Sequence, residues 1–168
     1  METPPPTPAY LEDMVTHPQR PQNAPNDDQS GDGEEPFGRL HDVRVLIVDD
    51  DRDVLEAFDA AFQAEGALTQ VAMDGNEAIR ICQNDPPDLV ILDMMLPKRS
   101  GFLALEKIKG NEDSPLVIMV TANEGKRHSA YAETLGVDMY LQKPVPLNKL
   151  LDAAVELIEA DENAESSD

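Results

Sequence analysis

Five short apolar runs, at residues 43–48, 68–72, 88–92, 116–120 and 137–141, recur along the chain, and each is followed by a stretch whose apolar residues return at helical spacing. Short strands alternating with helical patterns are the signature of βα units on a parallel sheet. The runs Val45-Leu46-Ile47-Val48 and Leu89-Val90-Ile91-Leu92 are continuous rather than alternating, as suits strands buried on both faces. Val54, Leu55, Phe58 and Phe62 mark the first helix, Ala78, Ile79 and Cys82 the second, and Phe102, Leu105 and Ile108 the third. Leu147, Leu150, Leu151, Ala154 and Ile158 form the clearest stripe, that of the last helix. Gly66 and Gly136 stand where helices should end, and Asp74 where one should begin. The fourth helix, at about residues 124–135, has the weakest pattern and is expected to be the most mobile element.

The chain has 168 residues, and the core of this pattern occupies only residues 41–158. Residues 1–40 hold eight of the fourteen prolines among polar residues and carry a net charge of −6, and they are expected to be a disordered acidic leader. Within it, Tyr10, Leu11, Met14 and Val15 have the spacing of a short docking helix. Residues 159–168 carry five acids and no base, and are expected to be a disordered acidic tail. About half of the net charge of −21 therefore lies outside the expected core, and the acidity as a whole argues against nucleic acid as a direct partner. No apolar run approaches the roughly twenty residues of a membrane span, and no signal peptide pattern opens the chain, so a cytoplasmic protein without membrane insertion is expected. The single cysteine, Cys82, cannot form an internal disulfide, and with three histidines there is no Cys/His set for structural zinc. Cys82 reads as a small core residue, and His128 as a solvated helix residue.

In a doubly wound sheet the ligand crevice lies beyond the carboxyl ends of the strands. The residues there are Asp49, Asp50 and Asp51 after the first run, Asp93 after the third, Thr121 after the fourth and Lys143 after the fifth. Two strand orders are common for such sheets. In order 2-1-3-4-5 the first and third strands adjoin at the switch point, which brings Asp50 and Asp93 face to face. Two carboxylates about 5 Å apart repel by roughly 3 kcal/mol at an effective dielectric near 20, so a cation is needed. Carboxylate oxygens suit Mg²⁺, whose remaining positions are commonly filled by phosphate oxygens. An Asp carboxylate can then act as a nucleophile toward phosphorus, with Lys143 and Thr121 supplying an ammonium and a hydroxyl.

Four motifs stand in this order after the appropriate strands: VLIVDDD at 45–51, LVILDMMLPKRSG at 89–101, VTA at 120–122 and YLQKP at 140–144. Together they resemble the receiver domains of two-component response regulators, over about residues 42–158. The resemblance implies a flavodoxin-like (βα)5 sheet in order 2-1-3-4-5. It implies that Asp93 is the phosphoacceptor and that Asp49, Asp50 and Asp93 hold Mg²⁺ with the backbone carbonyl of Met95. Thr121 and Lys143 would contact the phosphoryl group, and Thr121 and Tyr140 would form the switch that remodels the face made by the fourth helix, fifth strand and fifth helix. The peptide before Pro144 would be cis. Positions 95 and 123 influence hydrolytic water in this family, and since an apolar Met95 cannot orient water, slow dephosphorylation is expected.

The implied function is a stand-alone phosphorylation switch rather than an enzyme acting on other substrates. Its partners would be a histidine kinase or phosphotransfer protein and a downstream protein target, with the chain a monomer or a phosphorylation-dependent dimer. A phosphate sink or a phosphorylation-independent docking module is the alternative. A third reading is a haloacid-dehalogenase-like phosphatase using Asp49 and Asp51, but Arg52-Asp53 stand where Gly-Thr is usual. Plainer roles are also open: Asp51 as a helix cap, Asp93 as a turn residue, and Tyr140 as packing.

Overall fold

A computed structural model describes residues 38–122 and 125–168. In chain order the elements are β1 (Arg44–Val48), α1 (Arg52–Ala64), β2 (Leu68–Ala72), α2 (Gly75–Asn84), β3 (Leu89–Asp93), α3 (Gly101–Ile108), β4 (Leu116–Thr121), α4 (Lys126–Thr134), β5 (Met139–Gln142) and α5 (Leu147–Glu165). The five strands are parallel and lie in the order β2-β1-β3-β4-β5, as expected. In register, Val48 stands opposite Leu92, and Asp93 opposite Val120.

The continuous apolar runs divide their residues by parity, because successive side chains on a strand point to opposite faces. Val45, Ile47, Leu89, Ile91, Ile118 and Val120 pack with Phe58 and Phe62 of α1 and Leu150 and Ala154 of α5. Leu46, Val48, Val90, Leu92, Val117 and Met119 pack on the other side with Ala78 of α2, Ala104 and Leu105 of α3 and Ala132 of α4. Each fully buried Leu, Ile or Phe contributes about 1.5–3 kcal/mol relative to exposure. Both faces of the central strands are covered, and only β2, at the edge, leaves Leu68 and Val71 exposed.

Local signals account for most boundaries. The side chains of Asp51, Asp74 and Ser100 accept backbone N–H bonds at the starts of α1, α2 and α3. Gly66 and Gly136 adopt φ of 85° and 90°, and the paired bonds Ala67 N–H to Phe62 O and Val137 N–H to Ala132 O close α1 and α4 with the same left-handed turn. β5 begins at Met139, two residues later than expected, because Asp138 is taken up by a corner. Its N–H donates to Val117 O, while its carboxylate accepts from Val117 N–H and pairs with Lys109 Nζ at 2.6 Å.

Three expectations need correction. The acidic tail is not irregular from residue 159: α5 continues to Glu165. Every residue from Glu159 onward is exposed, so position 158 marks where burial ends, while the Ala- and Glu-rich sequence prolongs the helix into solvent. At the other end, residues 38–40 belong to the packed domain, with Leu40 wholly buried and Arg39 bonded to Glu65 and Asp152. The rest of the leader, including the docking pattern at Tyr10–Val15, lies outside the described residues. His128 is not simply solvated, for its ring stacks on Phe102 with centroids 5.8 Å apart. Cys82 is half-buried on α2, packed against the cluster that holds α3, and burial pushes its thiol up to about 11.

Among the described residues no helix is long and apolar enough to cross a membrane.

Candidate functional site

The carboxyl ends of β1, β3, β4 and β5 converge on one rim. Asp49 directly follows β1 and is 2% exposed, held by its N–H to Ala72 O and by Asp51 N–H donating to its Oδ1 at 2.9 Å. Asp93 is the last residue of β3, 7% exposed, and its Oδ1 accepts from Met95 N–H at 3.2 Å. Lys143 follows β5, where its N–H is bonded to Thr121 O at 2.8 Å. From there its Nζ reaches Asp49 Oδ2 at 2.6 Å and Asp93 Oδ2 at 3.3 Å. The peptide between Lys143 and Pro144 is cis.

Asp50 is exposed at the mouth of this arrangement, and carboxylate oxygens of Asp49, Asp50 and Asp93 all lie within 4.8 Å of one another. An all-oxygen set with two buried members and one open to solvent fits a hard divalent cation that keeps several water or phosphate ligands. Burial raises the Asp93 carboxyl above the ordinary carboxylate range and the Asp49 charge adds to this, while Lys143 and the Met95 N–H oppose it. For Lys143 burial works against the charged form, but the hydrogen bond to Asp49 and the two carboxylate charges outweigh it, so the ammonium is held above its usual range.

Thr121 ends β4 and is wholly buried. By strand parity it shares a face with Val117 and Met119, the face covered by α2, α3 and α4. Tyr140, opposite Met119 in register, packs against the same face, half-buried, and burial raises its phenol. The two expected switch residues are thus on one side of the sheet. Met95 projects outward, 64% exposed, and Asn123 lies outside the described residues. Asp51 takes the plainer role left open for it: its Oδ1 caps α1, accepting from Asp53 and Val54 N–H.

Two supporting features were not legible beforehand. A Cβ on Gly101 would stand 2.3 Å from Asp93 O, so only glycine lets α3 start this close to β3. Lys98 adopts φ 63° in the β3–α3 loop and pairs with Asp74. Nothing in the sequence marks the left-handed lysine.

A doubly wound sheet in this order, with buried acids and a lysine at the switch point, defines a receiver architecture. The chain belongs to the response regulator receiver domain family, whose model matches residues 45–155. It is 34% identical over 109 residues to the response regulator MprA of Mycolicibacterium vanbaalenii and, likewise at 34%, to that of Mycobacterium tuberculosis. Each alignment covers 65% of this chain and 47% of the relative, so the chain spans about half the length of the curated relatives it matches. These larger relatives do not support the stand-alone expectation. Among solved structures it is similar to a CheY-like receiver domain protein from Methanospirillum hungatei, with TM-score 0.71 and 29% identity over 73% of this chain and 98% of that one. It is also similar to a chain of the CheX-CheY-BeF3-Mg complex from Borrelia burgdorferi, with TM-score 0.65, 28% identity, and coverage of 69% and 89%.

Proposed function

We propose that this chain is a phosphorylation switch whose Asp93 accepts a phosphoryl group from a histidine kinase or phosphotransfer protein, in the cytoplasm, and that it signals by protein contact. The observation that carries this is the buried Asp93 carboxylate, held between Lys143 and the acidic pair Asp49 and Asp50. An Asp93 oxygen would form the new bond to phosphorus as the bond from phosphorus to the donor atom breaks, and the donor leaves with that electron pair. Met95 N–H holds one Asp93 oxygen, which orients the carboxylate and leaves Oδ2 beside Lys143. The Lys143 ammonium stands where negative charge on a phosphoryl oxygen would be neutralised, and the buried Thr121 stands at the end of the adjoining strand. Asp49, Asp50, Asp93 and the Met95 carbonyl would hold Mg²⁺, which when bound supplies charge neutralisation for phosphoryl transfer. The chain catalyses nothing beyond its own phosphorylation and slow dephosphorylation. That the chain acts as a monomer or as a phosphorylation-dependent dimer belongs to the same proposal.

The test is incubation of the chain with a small acyl phosphate and Mg²⁺, followed by intact mass measurement. A single phosphoryl gain that disappears in Asp93→Asn is expected. No gain overturns the proposal in favour of a docking module, and steady turnover of a phosphomonoester would make the chain a phosphatase.

A further inference from the structure

The loop between β3 and α3 is anchored at both ends. At the near end Met95 N–H donates to Asp93 Oδ1 at 3.2 Å, and Gly101 N–H donates to Met94 O at 2.8 Å. At the far end the anchor crosses to a different element. Lys98 Nζ lies 2.8 Å from Asp74 Oδ2 at the start of α2, and Arg99 Nε donates to Asn76 Oδ1 at 2.8 Å. The approach is close: a Cβ on Gly75 would stand 2.5 Å from Arg99 O. Lys98 itself is in the left-handed region at φ 63°, a conformation that persists in a non-glycine residue only where its surroundings fix it.

Asp74 is suited to anchor this loop. It is 14% exposed, and its Oδ1 accepts from Glu77 N–H at 2.9 Å as the cap of α2, while Oδ2 faces Lys98. The loop is therefore fastened to a helix whose position is set by the core, through Ala78. Lys98 and the Glu77 N–H both hold the Asp74 carboxyl below the usual range, as two partners on one anion should.

We infer that Lys98 and Asp74 form a clamp that positions the β3–α3 loop, so that the Met95 carbonyl is presented to the divalent cation. The inference rests on the receiver function proposed above. Neither residue is among the acids Asp49, Asp50 and Asp93 that would hold the ion, so both are positioning residues. Because Lys98 is 66% exposed, the clamp is open to screening and should weaken as salt rises.

The test is a Mg²⁺ titration of the full chain, followed by amide NMR shifts, with the melting temperature measured in parallel. Lys98→Ala and Asp74→Asn should each weaken Mg²⁺ binding by about three- to fivefold, the size expected for losing an exposed ion pair. Asn retains the helix cap, so melting should change little. The double variant should lose no more than either single one, and Lys98→Arg should restore the affinity. High salt should erase the difference between the wild type and Lys98→Ala. Unchanged Mg²⁺ affinity in Lys98→Ala, beside a wild type that binds, overturns the clamp alone. A wild type that binds no Mg²⁺ overturns the metal-dependent switch, and the clamp with it.

Discussion

Lys143 Nζ bridges two carboxylates at the ends of different strands, lying 2.6 Å from Asp49 Oδ2 and 3.3 Å from Asp93 Oδ2. The shorter contact goes to an acid that would bind metal alone, and the longer to the acid that would also receive phosphorus. Lys143 thus compensates a site whose acids outnumber its bases.

Removing this ammonium leaves two buried anions facing each other. Lys143→Ala is expected to destabilise the domain by about 3 kcal/mol, the scale for breaking one partner of a buried pair, and to push the Asp93 carboxyl further up. Denaturant melts and carboxyl NMR titration check both. Restored stability on adding Mg²⁺ would show that the loss was electrostatic.

Asp93 itself is costly to keep ionised. A carboxyl whose folded pKa exceeds its unfolded value binds more protons in the native state, so stability falls as pH rises from the unfolded pKa through the folded one. Asp93→Asn should therefore stabilise the chain by about 1 kcal/mol at pH 7 in chelator, while abolishing phosphorylation. The gain should shrink as the pH is lowered toward 4, and a variant less stable than the wild type at pH 7 contradicts this.

Gly101→Ala should be severe. Its new Cβ would meet the backbone of Asp93 at 2.3 Å and Met94 Cα at 2.6 Å, and neither can yield without moving β3 or α3. A loss of about 2–3 kcal/mol and a slower phosphorylation of Asp93 are expected, read by melting and by mass.

Leu40 lies outside the family match but has no exposed surface, and it packs in the cluster that contains Phe62 and Leu150. Leu40→Ala should cost about 2–4 kcal/mol, and a chain beginning at Val45 should melt well below the full chain. Equal melting would show that the segment only rests on the domain.

Met95 stands exposed two residues after Asp93, and its side chain cannot orient a water. If it governs water at the phosphoryl group, Met95→Asn should hasten loss of the label by about tenfold, equivalent to about 1.4 kcal/mol of barrier. The decay of the phosphorylated mass measures it.

Much of this fold is legible in local patterns. The continuous runs of β1 and β3 announce strands with two covered faces, and Asp74, Gly66 and Gly136 punctuate the helices because caps and left-handed turns have narrow chemical requirements. The site was legible for a related reason: Asp49, Asp93, Thr121 and Lys143 all sit where a strand ends or has just ended, and a parallel sheet delivers such positions to one edge. Boundaries set by exposure rather than pattern were not. The prolonged α5 has no stop signal before residue 165, and Leu40 gave no periodic partner to reveal that it is core.

What the sequence alone determined, then, is the order and type of the elements and the chemical inventory at their carboxyl ends, since both follow from short-range periodicity. Only the tertiary structure decided which carboxylate Lys143 reaches, that Asp51 is spent on a helix cap, that Thr121 and Tyr140 share one face, and that Lys98 is tied to Asp74. These relationships join residues from separate strands, helices and loops. Distances between such residues depend on how the helices pack over the twisted sheet, and no local pattern encodes them.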